Sequence, residues 1–215
     1  SLYMTACVAA TPSWRNSLKE IIETTELNAI VIDIKDYSGN ISYEGNVNCK
    51  VSDLKEFIAL LHESNIYVIG RITVFQDPYY ANLRPELAVK SKATGSVWRD
   101  NKGLSFIDAG AKPFWDYIIE ISRTSHALGF DELNFDYIRY PSDGNVQDAE
   151  YNWAIGTSTK SEILENFFIY LHKNLKDTTV WNGEVPVISA DLFGMTTSIT
   201  TDMGIGQILE KTLPY

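Results

Sequence analysis

Glu132-Leu133-Asn134-Phe135-Asp136-Tyr137-Ile138-Arg139-Tyr140 alternates polar with apolar side chains and ends in charge. Successive side chains of a strand point to opposite faces. Asn134 and Asp136 therefore share one face, and Leu133, Phe135 and Tyr137 share the other. Four further apolar runs end in polar residues, residues 3–8 (YMTACV), 29–36 (AIVIDIKD), 67–75 (YVIGRITVF) and 186–194 (PVISADLFG), and in the last three of these the polar residues again sit two apart. Asp33 sits two residues from Lys35, Arg71 from Thr73, and Ser189 from Asp191. The intervening positions are apolar: Ile30, Ile32 and Ile34; Val68, Ile72 and Val74; Ile188, Ala190 and Leu192. Charges at the C-terminal ends of successive buried strands are the sequence pattern of a βα-barrel enzyme.

Helical signals separate these runs. Helices are expected at 14–25, introduced by Thr11-Pro12-Ser13, at 52–64 with Ser52 as N-cap, and at 78–89. Others are expected at 113–128, ended by Gly129, at 160–175, and at 204–212. Strict strand–helix alternation implies a parallel sheet with right-handed crossovers. The fold class read from this pattern is α/β, a (β/α)8 TIM barrel of which the chain holds about five βα units. Residues 1–215 are read as one domain, with the barrel continuing beyond Tyr215. The alternative, an open five-stranded sheet, would leave two unpaired edges.

Composition narrows the partners. A length of 215 residues suits one domain with a sizeable core. A net charge of −10 argues against nucleic acid, whose phosphates need a basic surface. An acidic chain with 12% aromatic residues suits a neutral polyhydroxylated ligand. No apolar run approaches the roughly 18 residues of a membrane span. Cys7 and Cys49 form no CxxC motif or Cys/His cluster, so no metal or cofactor is expected; a disulfide between the two is the less favoured of two readings that the sequence leaves open. His62, His126 and His172 fall on expected helices, away from the strand ends, which leaves a Ser-His-Asp triad without support. Neither common phosphate-binding glycine loop is present.

The chemistry these residues point to is that of paired carboxylates. Asp136 and Asp191 end neighbouring runs and would project into one cavity. Glycoside hydrolysis needs two such groups, one to protonate the leaving oxygen and one to act as nucleophile or to activate water. Arg71 or Arg139 would keep Asp136 ionised, leaving Asp191 as proton donor. Asp33, Lys35, Asp36, Arg71, Trp98, Asn134 and Arg139 are the candidate substrate-binding residues. Plainer roles stand beside these: a strand-end Asp that only pairs with an Arg, an Asp33–Lys35 ion pair extended to Arg71, and Tyr79 and Tyr80 packing their loop. Repetition over several strands favours a site, because burying unused charge is costly.

Several of these stretches are also familiar together. The runs 29–36, 70–78 (GRITVFQDP), 84–89 (RPELAV), 98–103 (WRDNKG) and 129–141 (GFDELNFDYIRYP) resemble a bacterial family of glycoside-hydrolase-like domains, formerly a domain of unknown function, related to the α-amylase clan. The resemblance implies a TIM barrel acting on carbohydrate in an extracellular or cell-surface setting. It makes Asp136 the nucleophile and Asp191 the acid/base, where the clan normally has Glu. It also places a third acidic group on a strand beyond Tyr215. The competing readings are a carbohydrate-binding barrel without catalysis and, less well supported, a deacetylase or lyase. A deacetylase would want an Asp/His metal set that these histidines are badly placed to supply.

Overall fold

The structure is a computed structural model that describes residues 1–45, 49–153, 158–176, 185–212 and 214. In chain order the elements are β1 (Leu2–Met4), α1 (Ala6–Ala9), α2 (Pro12–Glu23), β2 (Ala29–Lys35), α3 (Leu54–Glu63), β3 (Tyr67–Thr73) and α4 (Pro78–Leu83). They continue as β4 (Lys90–Ser91), α5 (Lys112–Leu128), β5 (Glu132–Asp136), β6 (Ala149–Glu150), α6 (Lys160–Leu175), β7 (Val187–Ala190) and α7 (Leu209–Thr212). The main sheet runs β1-β2-β3-β5-β7, and every pairing in it is parallel. Strands therefore follow one another in chain order, with a helix between each pair. This is the winding of a (β/α)8 barrel wall, here over five strands.

One face of the sheet is apolar and covered. Ile30, Ile32, Val68, Ile72, Leu133 and Phe135 are buried beneath Phe57, Ile58 and Leu61 of α3, Phe114 and Ile118 of α5, and Leu164 and Phe167 of α6. The other face is polar and open, with Tyr3 51% and Val187 50% exposed at its two edges. Two helix ends match the sequence reading closely. Gly129 stops α5 with φ of 112°, a left-handed conformation that glycine adopts without a side-chain clash. A reciprocal capping box of Thr159 and Glu162 starts α6.

Elsewhere local rules and neighbours change the expected boundaries. The run 3–8 is strand only to Met4; Thr5 then caps α1, its Oγ1 accepting from Val8 N at 3.3 Å. Cys7 is thereby carried on a helix and forms a disulfide with Cys49, with Cα atoms 4.5 Å apart. This decides a pairing that the sequence left open: the fold brings together residues 42 apart in sequence. The helix expected at 78–89 breaks because Pro85 disfavours the helical conformation at Arg84, which lies at φ −130°, ψ 66°. The helix expected at 204–212 begins only at Leu209, since Gly204 and Gly206 both have positive φ. Ser52 does not cap α3. Asp53 holds the cap position but gives its carboxylate to Arg15, whose Nη1 and Nη2 donate at 2.8 and 2.5 Å.

The two long loops at the C-terminal end of the sheet form one layer. Antiparallel β4 and β6 join them, Lys90 opposite Glu150 and Ser91 opposite Ala149. Val89, Trp98, Phe106 and Ala149 make a small core there. No helix among the described residues is long and apolar enough to cross a membrane.

The disulfide offers a direct test of the architecture. Replacing both cysteines with serine should lower the unfolding free energy by about 3–4 kcal/mol, as expected for closing a loop of this length. The measurement is the shift in urea midpoint, and coincident curves for oxidised and reduced protein would contradict it.

Candidate active site

The polar face is assembled row by row from strand register. Asp33 of β2 pairs with Arg71 of β3, Arg71 with Asn134 of β5, and Asn134 with Ser189 of β7. In the next row towards the strand C-termini, Thr73 pairs with Asp136. Asp191 N donates to Phe135 O at 2.9 Å, extending the β5–β7 ladder by one residue. Asn134 Nδ2 reaches both Ser189 Oγ (3.0 Å) and Asp191 Oδ1 (3.3 Å). Asp136 and Asp191 therefore stand on adjacent strands, at the C-terminal end and on the same face, as the alternation in sequence implied. Adjacent strands are separated by only about 4.8 Å.

Arg71 organises the left side of this face. Its Nε and Nη2 donate to Asp136 Oδ2 at 3.0 and 2.5 Å, and its Nη1 donates to Asp33 Oδ1 at 2.9 Å. Tyr3 OH donates to Asp33 Oδ2 at 2.6 Å. Tyr137, held in a left-handed conformation with φ 54°, donates its N–H to Asp136 Oδ1 at 2.6 Å. Burial raises the pKa of Asp33 despite the opposing hydrogen bonds from Tyr3 and Arg71. Burial also works against the Arg71 charge, but the hydrogen bonds to Asp136 and Asp33 prevail and raise its pKa. A cavity of about 410 Å³ opens over these rows, lined by Tyr3, Val31, Ile69, Arg71, Glu132, Asn134 and Asp191.

Two lining residues escaped the sequence reading. Glu132 accepts from Ser189 Oγ at 2.5 Å and from Tyr67 OH at 3.3 Å. Its spacing of two from Asn134 was the available signal. Tyr3 lies in the row that runs through Val31 and Ile69 to Glu132.

Other candidates lie elsewhere. A bulge in β2 sets Asp33 against Arg71 but Lys35 against Ile72, turning Lys35 to the helix side. There its fully buried Nζ lies 2.9 Å from Asp77 Oδ2, donates to Thr73 O at 2.6 Å and stands 5.7 Å from the Phe114 ring centre. The expected Asp33–Lys35 pair is thus replaced by Asp33–Arg71 and Lys35–Asp77, and Lys35 does not face the cavity. Asp36 caps a turn, its Oδ1 accepting from Ser38 N, Ser38 Oγ and Asn40 N. Trp98 is only 3% exposed, donates Nε1–H to Asn145 O and meets Phe106 edge-on, so it packs the loop layer and offers no stacking surface. Arg139 does not contact Asp136; Nη1 donates to Tyr140 O and Ser142 Oγ, and the guanidinium lies among the rings of Tyr137, Phe193 and Phe106. Among the described residues no three His, Cys, Asp or Glu side chains converge as metal ligands.

Residues 1–214 match the model of a family described as "Putative glycosyl hydrolase domain". The chain belongs to that family. The crystal structure of a hypothetical protein from Ruminiclostridium thermocellum is similar to this glycosyl hydrolase domain at 35% identity and a TM-score of 0.77, over 90% of this chain and 98% of that one. An α-xylosidase from a soil metagenome complexed with xylose superposes with 15% identity and a TM-score of 0.61, over 88% of this chain and 29% of that one. An α-galactosidase from Thermus thermophilus in complex with stachyose gives 13% identity and a TM-score of 0.58, over 88% of this chain and 39% of that one. These two likenesses show the fold: the domain is built as part of a TIM-type barrel and spans well under half of those glycosidases. No curated protein matches the chain in sequence.

The buried pair of this glycosyl hydrolase domain makes a quantitative prediction. Lys35→Met strands the Asp77 carboxylate in the core and should destabilise the fold by about 3–5 kcal/mol. Denaturant unfolding measures it, and a change below about 1 kcal/mol would show that the pair is not a structural clamp.

Proposed function

We propose that the polar face is the catalytic face of a glycoside hydrolase acting on an oligosaccharide or polysaccharide, with Asp136 and Asp191 as the working pair. The observation that carries this is the contrast between two neighbouring carboxylates. Asp136 accepts three N–H donors, two from Arg71 and one from Tyr137. That donor set suits a carboxylate acting only as acceptor and nucleophile. Asp191 is exposed, and among the described residues its carboxylate meets only the Asn134 amide, which leaves it open to a substrate oxygen. Two carboxylates in unlike surroundings are what acid/base division of labour requires.

In this reading Asp191 protonates the glycosidic oxygen as the bond to C1 breaks. Asp136 attacks C1, or activates the water that does, and Arg71 fixes the orientation of its carboxylate. Asp33 and Tyr3 hold Arg71 from the far side. Asn134 positions Asp191, and Glu132 lines the cleft, where it would meet sugar hydroxyls. The glycosidases of similar fold were solved with xylose and stachyose, which supports carbohydrate as the ligand class. The Cys7–Cys49 disulfide supports an extracytoplasmic location, since such bonds persist in oxidising compartments.

A carbohydrate-binding barrel without turnover is the second reading. The openness of the face favours it, because water is poorly excluded around the carboxylates. Assays over a polysaccharide panel separate the two. Asp136→Asn should cut glycan cleavage by roughly 10³-fold with an unchanged melting temperature. Undiminished cleavage would remove Asp136 from the mechanism, and glycan binding with no turnover by the unaltered protein would favour the second reading.

A further inference from the structure

The loops that follow β2 and β3 meet in a second cavity, which shares no lining residue with the carboxylate cleft. Its volume is about 430 Å³, and Asn40, Ile41, Glu44, Tyr79, Tyr80, Leu83 and Tyr117 supply its side-chain walls. Tyr80 and Tyr117 stack with ring centres 4.4 Å apart, and Tyr80 rests edge-on against Phe114 of the core. Tyr79 and Leu83 stand free, 55% and 61% exposed. The hydroxyls of Tyr79, Tyr80 and Tyr117 bond to no other described residue. Burial raises the Tyr117 pKa, and Asp77, Glu44, Tyr80 and Tyr79 raise it further, so the phenol stays a neutral donor.

The walls are fixed in place. Gly39 has φ +89°, and a Cβ there would lie 1.9 Å from Asp77 Oδ1 and 2.9 Å from Tyr79 Cβ. Tyr79 N donates to Ser38 O at 3.1 Å, and Asp77 Oδ1 accepts from Tyr80 N at 2.7 Å. The two loops are thus tied together, and through Asp77 they are tied to buried Lys35. The Tyr80–Tyr117 stack and the backbone that carries Tyr79 are preorganised, which reduces the ordering cost of binding.

We propose that this cavity is a second carbohydrate-binding site, which holds a neutral glycan segment apart from the cleaving carboxylates. The chemistry selects that ligand. Among the described residues no Lys or Arg lines the cavity, which disfavours anions. An apolar ligand would leave three phenols and the Glu44 carboxylate unpaired, a costly arrangement. A sugar ring offers C–H faces to Tyr79 and Leu83 and hydroxyls to the phenols, Glu44 and Asn40. The proposal rests on the carbohydrate reading given above, and it holds whether or not the barrel turns its ligand over.

Native gels carrying xyloglucan, hydroxyethyl cellulose, soluble starch or polygalacturonate, run beside hydrolysis assays on short chromogenic glycosides, test it. The unaltered protein should be retarded by at least one neutral polymer. Tyr79→Ala should weaken that retardation by about tenfold in apparent Kd and Tyr117→Phe by about threefold, with glycoside hydrolysis unchanged. Tyr79 is exposed, so its replacement does not threaten the fold. Equal retardation of Tyr79→Ala and the unaltered protein overturns the proposal, as does retardation by polygalacturonate alone or by no polymer. Hydrolysis without retardation sinks the second site and leaves the hydrolase reading standing. Tyr79-dependent retardation without hydrolysis does the reverse.

Discussion

Lys35 and Asp77, both fully buried, fix where the sheet ends and its loops begin. The bulge that turns Lys35 out of alternation also ends the polar row at Asp33, so the charged face and the apolar face stay distinct. Asp77 answers from the loop after β3, and its other oxygen starts α4. A single ion pair therefore sets the exit directions of two strands. Such a pair need not add net stability over an apolar substitute, because desolvation offsets much of its attraction. What it supplies is a direct link between the end of β2 and the loop after β3.

The second electrostatic centre obeys a different logic. Arg71 sits between Asp33 and Asp136 on a face open to solvent, where one cation serves two anions. The raised pKa of Asp33 shows that burial costs its charged form more than Tyr3 and Arg71 return. A carboxylate held at that cost beside the guanidinium that also binds Asp136 is better explained by orientation than by stability. Arg71 is bound on both sides and so has little freedom to turn away from Asp136.

Local rules made much of this legible. Alternation alone placed Asp136 and Asp191 on one face, and the same spacing would have included Glu132. Thr159 and Gly129 mark helix ends by their own backbone preferences. The exceptions arise from contacts distant in sequence. Nothing near Lys35 announces a bulge, because the bulge answers to Asp77, forty-two residues on. Trp98 among polar neighbours reads equally as a stacking platform or as packing, and only the meeting of β4 with β6 decides. Cys7 and Cys49 carry no local sign of pairing. The two-residue strands β4 and β6 are too short to leave a periodic trace.

The outermost strand is held differently from the rest. β1 contributes only three register pairs, Leu2 with Ile30, Tyr3 with Val31 and Met4 with Ile32. So short an edge would ordinarily fray. The Cys7–Cys49 bond fastens the chain immediately after it, which confines the strand near its docking place and gives it a high effective concentration there. Tyr3, which donates to Asp33 at 2.6 Å, lies four residues before that tether, an arrangement that favours persistence of the bond. The alignment of Arg71 and Asp136 inherits that persistence from a covalent tether outside the site itself.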